Sequence, residues 1–324
     1  MTGVPRHEFE ASNTSKLVTN PDISVGIVTY NHEKFLAQAI ESVLAQQTER
    51  SFEIVIYEDC SKDRTREIAL EYQKRHPEII RVLYSSANVG VGQNVRRGIA
   101  ACRGRYIAGV DGDDFWTDPH KLQLQFEALE AHPGVNVCFS TGIKLHEDGT
   151  EEPAWDYGSD DRVISQRELL RAAGIIAPSG SMFYRAHILH ESPDWVYSAP
   201  VIDLFHLLAG TSPAGGYYLA RRTVAYRVMA RGSWSGQNAA DYHKVKVDHS
   251  TRMLESFRRA IDDFNIPVRS LRFQTSLPNY VLGRDAFESR RYGAALRFFR
   301  RVGWRFVWLQ LASLPRKWRD RKDS

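Results

Sequence analysis

The chain has 324 residues, of which 43% are hydrophobic and 25% charged, and its net charge is +4. These values are ordinary for a soluble globular protein with one large domain or two modest ones. Its 3 cysteines are far apart, without a CxxC pair, which argues against a disulfide framework or a zinc site and suits a reducing cytoplasm. The first 20 residues lack the apolar stretch of a secretory signal, and no run of about 18 apolar residues could span a membrane.

The positive charge is concentrated at the C-terminal end. Residues 284–324 contain 12 Lys and Arg against 4 Asp and Glu, a net of +8, which leaves −4 for the first 283 residues. Residues 295–322 predict a basic amphipathic helix with tryptophans, a pattern typical of a segment that lies on an anionic membrane surface. Docking of this helix on the rest of the protein is the alternative. No nucleic-acid-binding motif accompanies the charge, so a nucleic-acid partner is not expected.

Strand and helix patterns alternate from residue 22 to residue 140, after a polar stretch over residues 1–20 that we expect to be disordered. The predicted elements are, in chain order, strand Asp22–Thr29, helix Lys34–Ala45, strand Phe52–Tyr57, helix Arg64–Arg75, strand Arg81–Tyr84, helix Gln93–Ala101, strand Arg105–Val110, helix Lys121–Ala131 and strand Val135–Ser140. Strands separated by helices of about a dozen residues predict an α/β fold with a mostly parallel sheet covered on both faces.

The alternation becomes less regular after Gly142. The predicted elements of this half are helices Gln166–Ala173 and Asp203–Ala209, short strands Tyr217–Leu219 and Val224–Val228, and a long helix Asp241–Phe264 with further helices behind it. We therefore expect one domain over residues 21–235, with halves 21–142 and 143–235, and a helical C-terminal region over residues 236–324.

The turns after the strands are where ligands bind in open α/β sheets. The first strand runs into Thr29-Tyr30-Asn31-His32, which has no glycine and so excludes both a Rossmann GxGxxG turn and a P-loop. The fourth strand runs into Asp111-Gly112-Asp113-Asp114, where three carboxylates would repel one another without a cation. Divalent metals prefer oxygen ligands and often combine one or two carboxylates with substrate phosphates. This turn therefore predicts a site for a metal and a diphosphate.

The second strand ends in another acidic pair, Glu58-Asp59, followed by Ser61 and Asp63. Ser61 or Asp63 is suited to cap the next helix, but capping does not account for Glu58 and Asp59. A carboxylate at a strand end can also accept a hydrogen bond from a pyrimidine N–H, which is a sharper reason for Asp59.

Taken together, these turns resemble the family-2 glycosyltransferases of the GT-A fold, over about residues 22–145. The matching segments are Val28-Thr29-Tyr30-Asn31-His32, Phe35-Leu36, Ser42-Val43-Leu44-Ala45-Gln46, Glu58-Asp59-x-Ser61-x-Asp63-x-Thr65, Asn88-x-Gly90, Gly104-x-Tyr106-Ile107 and Asp111-Gly112-Asp113-Asp114. The resemblance implies a GT-A type, mostly parallel sheet flanked by helices, with a helical C-terminal extension.

The resemblance also implies roles for individual residues. Thr29, Tyr30 and Asn31 would hold the nucleobase with Asp59, beside Glu58 in place of the commoner aspartate. The DXD-type turn would contact the ribose and coordinate Mn²⁺ or Mg²⁺. We place Asp113 and Asp114 at the metal and Asp111 at the sugar or ribose, although the family pattern leaves the assignment among the three open.

Other donor-side residues have two interpretations each. Family members usually carry Arg-Asn-x-Gly on the helix after the third strand, where this chain has Arg96-Arg97-Gly98 preceded by Asn94. Arg96 or Asn94 either reaches the base or diphosphate or faces solvent. Trp116 either forms a wall of the donor pocket or packs in the core.

Inverting transfer needs a carboxylate that takes the proton of the acceptor hydroxyl. In similar enzymes it begins a helix reading (E/G)D-x-x-Leu, and the best match here is Asp203. The acidic pair is incomplete, because Val201 aligns with the usual base if the register is kept to Leu204, so Asp203 is alternatively a helix cap. Asp160, Asp161 and Asp194 are alternative candidates for this base.

Two further segments resemble acceptor-side elements of the family. Residues 179–185 match the segment beneath the acceptor, where Ser181 either bonds the substrate or lies on a buried strand edge. Tyr226-Arg227 followed by Arg231-Gly232-Ser233-Trp234-Ser235 matches a mobile loop, in which Arg231 and Trp234 would close over the donor phosphates.

We therefore expect a metal-dependent inverting glycosyltransferase that uses a nucleotide sugar, first of all a UDP-sugar. Its acceptor would be a saccharide or lipid-linked saccharide in polysaccharide, O-antigen or capsule synthesis, at the cytoplasmic face of the membrane. One alternative is a sugar-1-phosphate nucleotidyltransferase, which would need a glycine-rich phosphate loop after the first strand. The other is a catalytically degenerate sugar-nucleotide-binding scaffold, because the match around Asp203 is incomplete.

Overall fold

The computed structural model of the protein describes residues 8–171, 176–228, 242–272 and 274–302, with the backbone alone for residues 242–246. The chain divides into two compact units. The first combines residues 1–166 with residues 175–240, and the second combines residues 167–174 with residues 241–324.

One mixed sheet forms the centre of the first unit. Its strands within the described residues are β1 (Phe9–Ala11), β2 (Ile23–Thr29), β3 (Phe52–Glu58), β4 (Ile80–Tyr84), β5 (Tyr106–Asp111), β6 (Phe115–Trp116), β7 (Val137–Leu145), β8 (Glu151–Ala154), β9 (Arg162–Ile164), β10 (Phe183–Arg185) and β11 (Gly216–Arg227). Their order is β1-β4-β3-β2-β5-β10-β7-β11-β6, with β8 beside β7 and β9 beside β11.

The sheet is parallel only in part. Strands β4, β3, β2 and β5 run parallel to one another, as the alternation of strands and helices predicts. Beyond β5 the sheet is mixed, because β10 is antiparallel to both β5 and β7 while β11 runs parallel to β7. Tyr217–Leu219 and Val224–Val228, predicted as two short strands, belong largely to the single strand β11, whose register shifts on both sides of Arg222. The expected mostly parallel sheet is therefore corrected to a mixed one.

Helices cover the sheet. In the first unit they are α1 (Leu36–Leu44), α2 (Thr65–Arg75), α3 (Val91–Ala101), α4 (Lys121–Ala131), α6 (Ala186–His190) and α7 (Ile202–Gly210), while the short α5 (Gln166–Leu169) lies where the two units join along the chain. Leu36, Ile40 and Val43 recur at helical spacing on α1 and are fully buried, in one cluster with the apolar residues of β2. The near-continuous apolar sequence of β2 reflects a strand covered on both faces.

The N-terminal strand β1 was not expected. Phe9 pairs with Tyr84 at the sheet edge, where their rings stack with centroids 5.3 Å apart. Glu10 accepts a hydrogen bond from Nε of Arg81 at 2.8 Å, and Arg81 also pairs with the fully buried Glu53. The prediction of disorder is therefore wrong for residues 9–11, because pairing with β4, the ion pair of Glu10 with Arg81 and the stacking of Phe9 on Tyr84 fix this segment to the sheet edge. Residues 1–7 lie outside the described residues.

The second unit is helical, as expected. It contains α8 (Tyr242–Asp263), a 3₁₀ turn (Val268–Arg272), α9 (Ser276–Glu288) and α10 (Tyr292–Phe299). Of the predicted helix Gln166–Ala173, residues 166–169 are helical, 170–171 form a turn, and 172–173 lie outside the described residues. The part of the predicted amphipathic tail from residue 303 onward also lies outside them. None of the helices in the described ranges has the length and apolar character needed to cross a bilayer.

Gly98 on α3 makes the packing of this helix on β3 testable. A Cβ at Gly98 would lie 2.3 Å from a ring carbon of Tyr57. Alanine ordinarily stabilises a helix interior relative to glycine, but here we expect Gly98→Ala to lower the free energy of unfolding by about 1–3 kcal/mol, as overpacking does. Urea unfolding followed by circular dichroism measures the change. The control Gly134→Ala, in the same unit with no atom within 4 Å of the new Cβ, should be neutral; equal losses in both variants would contradict the packing argument.

Candidate active site

The predicted turns meet at one edge of the sheet because they follow neighbouring parallel strands. In the register of β2 with β3, Thr29 lies opposite Glu58. In the register of β2 with β5, Val28 lies opposite Asp111. The acidic ends of β3 and β5 therefore lie on either side of the turn that begins at Thr29.

The turns after β2 and β3 are bonded to each other. Asn31 has a φ of 57°, a conformation that asparagine tolerates better than most residues. Its N–H donates to Oγ of Ser61 at 3.0 Å, and its Oδ1 accepts from the N–H of Lys62 at 2.8 Å. The N–H of His32 donates to Oγ1 of Thr65 at 2.8 Å. These bonds fix the two turns as one rigid rim, with the partly buried Tyr30 at its edge.

Asp59 is buried and already bonded to the loop after β4. Its two carboxylate oxygens accept from the N–H groups of Val89 and Gly90 at 2.9 and 3.0 Å. The guanidinium of Arg97 lies 3.7 Å from Oδ1 of Asp59 and donates to the carbonyl of Glu58 at 2.9 Å. Each carboxylate oxygen has further lone pairs, so Asp59 is fixed in place and retains capacity to accept from a ligand.

Two predicted donor contacts on α3 point elsewhere. Asn94 is buried, donates through Nδ2 to the carbonyl of Tyr57 at 2.8 Å, and accepts from Arg97 through Oδ1. The guanidinium of Arg96 pairs with Asp194 at 2.5 Å. Asn94 therefore positions Arg97. Arg97 belongs to the altered family motif, but no role was predicted for it. Asn94 and Arg96 as donor contacts stay predictions.

Glu58 is fully buried, and both of its carboxylate oxygens are bonded within the protein, so its role as a donor contact stays a prediction. Its Oε2 accepts from Nε of Arg66 at 2.6 Å, and its Oε1 accepts from the N–H of Ser61 at 2.5 Å. Asp63 accepts from the N–H of Thr65 at 2.9 Å. Asp63 thus accepts from a free backbone N–H at the start of α2. Glu58 stabilises the same turn by accepting from the N–H of Ser61.

Asp111, Asp113 and Asp114 each have a different partner. Asp111 accepts from Oγ of Ser179 at 2.6 Å. Oδ2 of Asp113 lies 3.9 Å from Nε2 of His32. Oδ1 of Asp114 accepts from the backbone N–H of Arg227 at 2.8 Å. The carboxylate cluster, by which we mean Asp111, Asp113 and Asp114, is thus held by three segments that are distant along the chain.

Arg227 is the cation beside this cluster. Its guanidinium donates to the backbone carbonyl of Asp113 and to Oε1 of Gln38, both at 2.5 Å. It also lies between two aromatic rings, with centroids of Phe35 and Phe115 each 4.8 Å away. Arg227 therefore joins the end of β11 to the carboxylate cluster, and it contacts a carbonyl rather than a carboxylate oxygen.

The cluster is electrostatically unfavourable as it stands. Burial raises the pKa of Asp111, and the negative charge of Asp113 raises it further. Burial also raises the pKa of Asp113. For Asp114, burial followed by the charges of Asp113 and Asp111 places the pKa well above its usual range. Burial lowers the pKa of His32, so this neighbour is neutral and supplies no positive charge. A bound cation would offset the repulsion.

Asp203 lies close enough to this cluster to respond to its charge. Burial raises its pKa to about 6, and the charge of Asp111 is the second cause. Helix α7 begins at Ile202 with Val201 as its N-cap, so Asp203 is not the cap that the sequence left open. Among the alternative candidates for the base, Asp160 is exposed and Asp161 accepts from the N–H of Ala220 at 2.7 Å.

Trp116 lies in the core, which agrees with its interpretation as a packing residue. It is 4% exposed, too little to form an open pocket wall, and its Nε1 donates to the carbonyl of Gly180 at 2.9 Å. Nζ of Lys121 lies 4.3 Å from the centre of the Trp116 ring and donates to Gln125 at 2.6 Å. Burial lowers the pKa of Lys121 to about 7.

Ser181 is also buried, and its hydroxyl donates to the carbonyl of Pro178 at 2.8 Å. Its carbonyl accepts from Nε2 of Gln125 at 2.7 Å. The structure thus favours the buried-edge interpretation of Ser181, and the hydroxyl that reaches the carboxylate cluster is that of Ser179. The predicted lid residues Arg231 and Trp234 lie outside the described residues.

A helix-covered sheet with this strand-end carboxylate cluster is a fold of the GT-A type. The chain belongs to glycosyl transferase family 2, whose family model matches residues 24–190, slightly more than half of the sequence. An uncharacterized protein of Mycobacterium tuberculosis is 32% identical over 214 residues, which cover 65% of this chain and 60% of that protein. An uncharacterized glycosyltransferase of Nostoc is 34% identical over 171 residues, 52% of each chain. The chain thus spans about half to 60% of the length of these relatives.

Solved structures share the fold at low sequence identity. TarS of S. aureus, solved with UDP-GlcNAc, has a TM-score of 0.62 and 18% identity, with 88% of this chain and 82% of that chain covered. The mannosyltransferase PcManGT of Pyrobaculum calidifontis, solved with GDP-Man and Mn²⁺, has a TM-score of 0.55 and 14% identity, with 86% of this chain and 74% of that chain covered.

The three free cysteines, Cys60, Cys102 and Cys138, agree with the sequence prediction of no disulfide.

The repulsion within the carboxylate cluster predicts a pH-dependent stability. The pKa of Asp114 is raised on folding, so folding favours its protonated form and stability falls as pH rises from about 4 towards neutral. Asp114→Asn keeps an acceptor for the N–H of Arg227 but removes the charge. We expect its metal-free form at pH 7.5 to melt about 2–4 °C higher than the parent, for a gain of about 1 kcal/mol.

Differential scanning calorimetry in a chelating buffer between pH 4 and pH 8 measures this effect. The exposed Asp160→Asn should melt in parallel with the parent protein. An Asp114→Asn variant that is less stable than the parent at every pH would show that the buried charge is satisfied as it stands.

Proposed function

We propose that this protein is a metal-dependent inverting glycosyltransferase that moves a sugar from a nucleotide-sugar donor to a hydroxyl acceptor. The observation that carries the proposal is that the turns after β2, β3 and β5 meet at one edge of the sheet, where Asp111, Asp113 and Asp114 offer oxygen ligands for a metal and a diphosphate. The charge of Asp111 contributes to the raised pKa of Asp203, which supports a place for Asp203 near this edge. A carboxylate with a raised pKa suits proton transfer.

The residues present suit a metal that the substrate helps to bind. Among the described residues, no three Asp, Glu, His or Cys side chains are placed to hold a metal ion by themselves. One or two carboxylates, Asp113 and Asp114, would hold Mn²⁺ or Mg²⁺ together with the oxygens of a diphosphate, which is how such ions are commonly bound with phosphates. When bound, the ion stabilises the charge of the departing diphosphate. Asp111, held by Ser179, would face the sugar or ribose.

Asp203 would act as the general base. The acceptor hydroxyl oxygen forms a bond to the anomeric carbon while the bond from that carbon to the diphosphate breaks, and Asp203 takes the hydroxyl proton. Attack opposite the leaving group inverts the anomeric configuration. A carboxylate with a pKa of about 6 is ionised at neutral pH and is a stronger base than an ordinary aspartate.

The donor in this proposal is a UDP-sugar. Thr29, Tyr30 and Asn31 form the rim beside Asp59, whose carboxylate has lone pairs left to accept from a pyrimidine N–H. The TarS structures with UDP and UDP-GlcNAc support this choice by fold likeness alone. A sugar-1-phosphate nucleotidyltransferase is disfavoured, because the family match covers the strand-end turns themselves.

For the acceptor we propose a lipid-linked saccharide in the assembly of a surface polysaccharide, at the inner face of the cell membrane. This part depends on the basic, tryptophan-containing sequence of residues 295–322. It is separable from the chemistry, because a soluble saccharide would need the same base and the same donor site.

Asp203→Asn tests the base. We expect donor affinity to change less than about twofold and the transfer rate to fall by about 10²–10⁴, the usual contribution of general base catalysis. In the parent, the rate should decline as pH falls below about 6, where Asp203 becomes protonated. Isothermal titration calorimetry with the donor and a glycosyl-transfer assay measure the two quantities. Asp160→Asn is the matched control. Full turnover by Asp203→Asn would refute the assignment of Asp203 as the base. If the parent showed no turnover with any donor or acceptor, the scaffold alternative would be favoured.

Asp113→Ala tests the metal. The parent should bind UDP-GlcNAc at least tenfold more tightly with Mn²⁺ than with a chelator, because Asp113 and Asp114 would hold the ion, which would attract the diphosphate. Asp113→Ala should lose this difference, and Asp203→Asn should keep it. Calorimetry with and without Mn²⁺ measures it; equal affinity in both buffers for the parent would contradict metal dependence without affecting the assignment of Asp203.

A further inference from the structure

The second unit contains a groove that no part of the proposed chemistry uses. It lies among α8, the 3₁₀ turn at 268–272, the start of α9 and the end of α10, and its volume is about 460 Å³. Its lining residues are Leu254, Phe257, Arg258, Ile261, Val268, Arg269, Leu271, Arg272, Thr275, Asn279, Arg300 and Arg301. An apolar floor is therefore combined with five arginines.

Within the described residues, the arginines of this unit differ in their partners, and Arg290 and Arg297, which do not line the groove, share with the groove arginines the lack of an ion pair. Four arginines elsewhere in the unit form ion pairs with carboxylates: Arg252 with Asp248, Arg259 with Glu255, Arg284 with Glu288, and Arg291 with Asp285. Within the described residues, none of the five groove arginines makes an ion pair. They are exposed at the groove, and their positive charge is not neutralised by this part of the protein.

Asn279 adds a polar group inside the groove. It is 3% exposed, and its Oδ1 has no hydrogen-bond donor in the described part of the chain. Its Nδ2 donates to the carbonyl of Thr275 at 2.7 Å, which fixes the orientation of the amide. Because a buried acceptor without a donor costs about 1–3 kcal/mol, Asn279 points to a ligand that brings an O–H or N–H group.

The surface of the same unit is unusually apolar. Of the 11 large hydrophobic residues that are exposed in the described residues, 7 lie between residues 268 and 299. They are Val268, Leu277, Tyr280, Phe287, Tyr292, Leu296 and Phe299. Exposed apolar residues gathered in one short segment mark an interaction surface more often than isolated ones do.

We propose that this groove binds an anionic phospholipid of a membrane surface. The acyl chain lies on Leu254, Ile261 and Val268, and the phosphate lies among the groove arginines. A hydroxyl of the headgroup donates to Oδ1 of Asn279. The charge complementarity of five unpaired arginines with a phosphate selects this occupant over a neutral apolar one. The proposal is independent of the transfer chemistry, since it needs neither donor nor metal.

Vesicle co-sedimentation of the full chain tests the proposal. The parent should bind phosphatidylcholine vesicles that contain 30% phosphatidylglycerol, and not vesicles of phosphatidylcholine alone, with the lipid fraction chosen at about that level to give an anionic surface. Each basic residue near such a surface is worth about a fivefold change in binding. The double variant Arg258→Gln with Arg272→Gln should therefore bind about 30-fold more weakly.

A double variant with the same change in net charge is the control. Arg259→Gln with Arg284→Gln removes two arginines that already have carboxylate partners, and it should bind within about threefold of the parent. Residues 303–324 are unchanged in both variants, so a difference between them belongs to the groove. Equal losses would show attraction by net charge alone and overturn the proposal, as would equal binding to vesicles without anionic lipid.

The headgroup hydroxyl is tested separately. Phosphatidylmethanol carries the same charge as phosphatidylglycerol without a hydroxyl on the headgroup. The parent should prefer phosphatidylglycerol vesicles by at least threefold, and Asn279→Leu should lose this preference while still melting cooperatively. A preference that survives Asn279→Leu would remove Asn279 from the site. Inhibition by free glycerol phosphate at low millimolar concentration would assign the groove to a soluble phosphate and contradict the membrane lipid.

Discussion

The repulsion among Asp111, Asp113 and Asp114 is the constraint on which the catalytic half of this structure depends. Three carboxylates within four residues are partly or fully buried. Burial raises the pKa of each, and neighbouring carboxylate charge raises the pKa of Asp111 and Asp114 further. The turn that carries them leaves little room for change, since a Cβ at Gly112 would lie 2.6 Å from Oγ1 of Thr29. A protein that only needed to fold would gain from an uncharged residue here, and this cost is the physical basis on which we propose a cationic ligand.

The surroundings hold the carboxylates in place and offset their charge only in part, through Arg227. Ser179 bonds Asp111, and the backbone N–H of Arg227 bonds Asp114. The guanidinium of Arg227 donates to a carbonyl and lies between two phenylalanine rings. The site therefore keeps its negative charge while its geometry is fixed, which is the arrangement that a metal and a diphosphate require. The segment 179–181 is supported in turn by Trp116 and Gln125.

The parts of this site that could be predicted from the sequence are local. Thr29, Asp59 and the aspartates at 111–114 directly follow strands whose apolar runs are easy to recognise, and parallel strands bring their ends to one edge. Arg227, Ser179 and Arg97 could not be found in this way, because their partners are 113, 68 and 39 residues away. The orientations of the Asn94 and Trp116 side chains depend on how α3 and β6 pack. The periodicity of apolar residues in the sequence does not determine this packing. The edge strand β1 depends on contacts of Phe9 and Glu10 with β4, which lie more than 70 residues away.

The second unit extends the same argument to a different ligand. Its five groove arginines make no ion pair in the described residues, while Arg259 and Arg284 of the same unit are paired with carboxylates. If both ligands bind as proposed, the protein combines a site for an activated sugar with a surface for anionic lipid. Such a combination would suit transfer to a lipid-linked acceptor.

The central claim is that a divalent cation joins the strand-end aspartates to the donor diphosphate. Diffraction from crystals soaked with Mn²⁺ and UDP-GlcNAc, recorded where manganese scatters anomalously, tests it most directly. We expect one anomalous peak that contacts a carboxylate oxygen of Asp113 or Asp114 and the diphosphate at once. A diphosphate bound at this edge with no manganese peak beside these carboxylates, or a donor bound elsewhere, would contradict it.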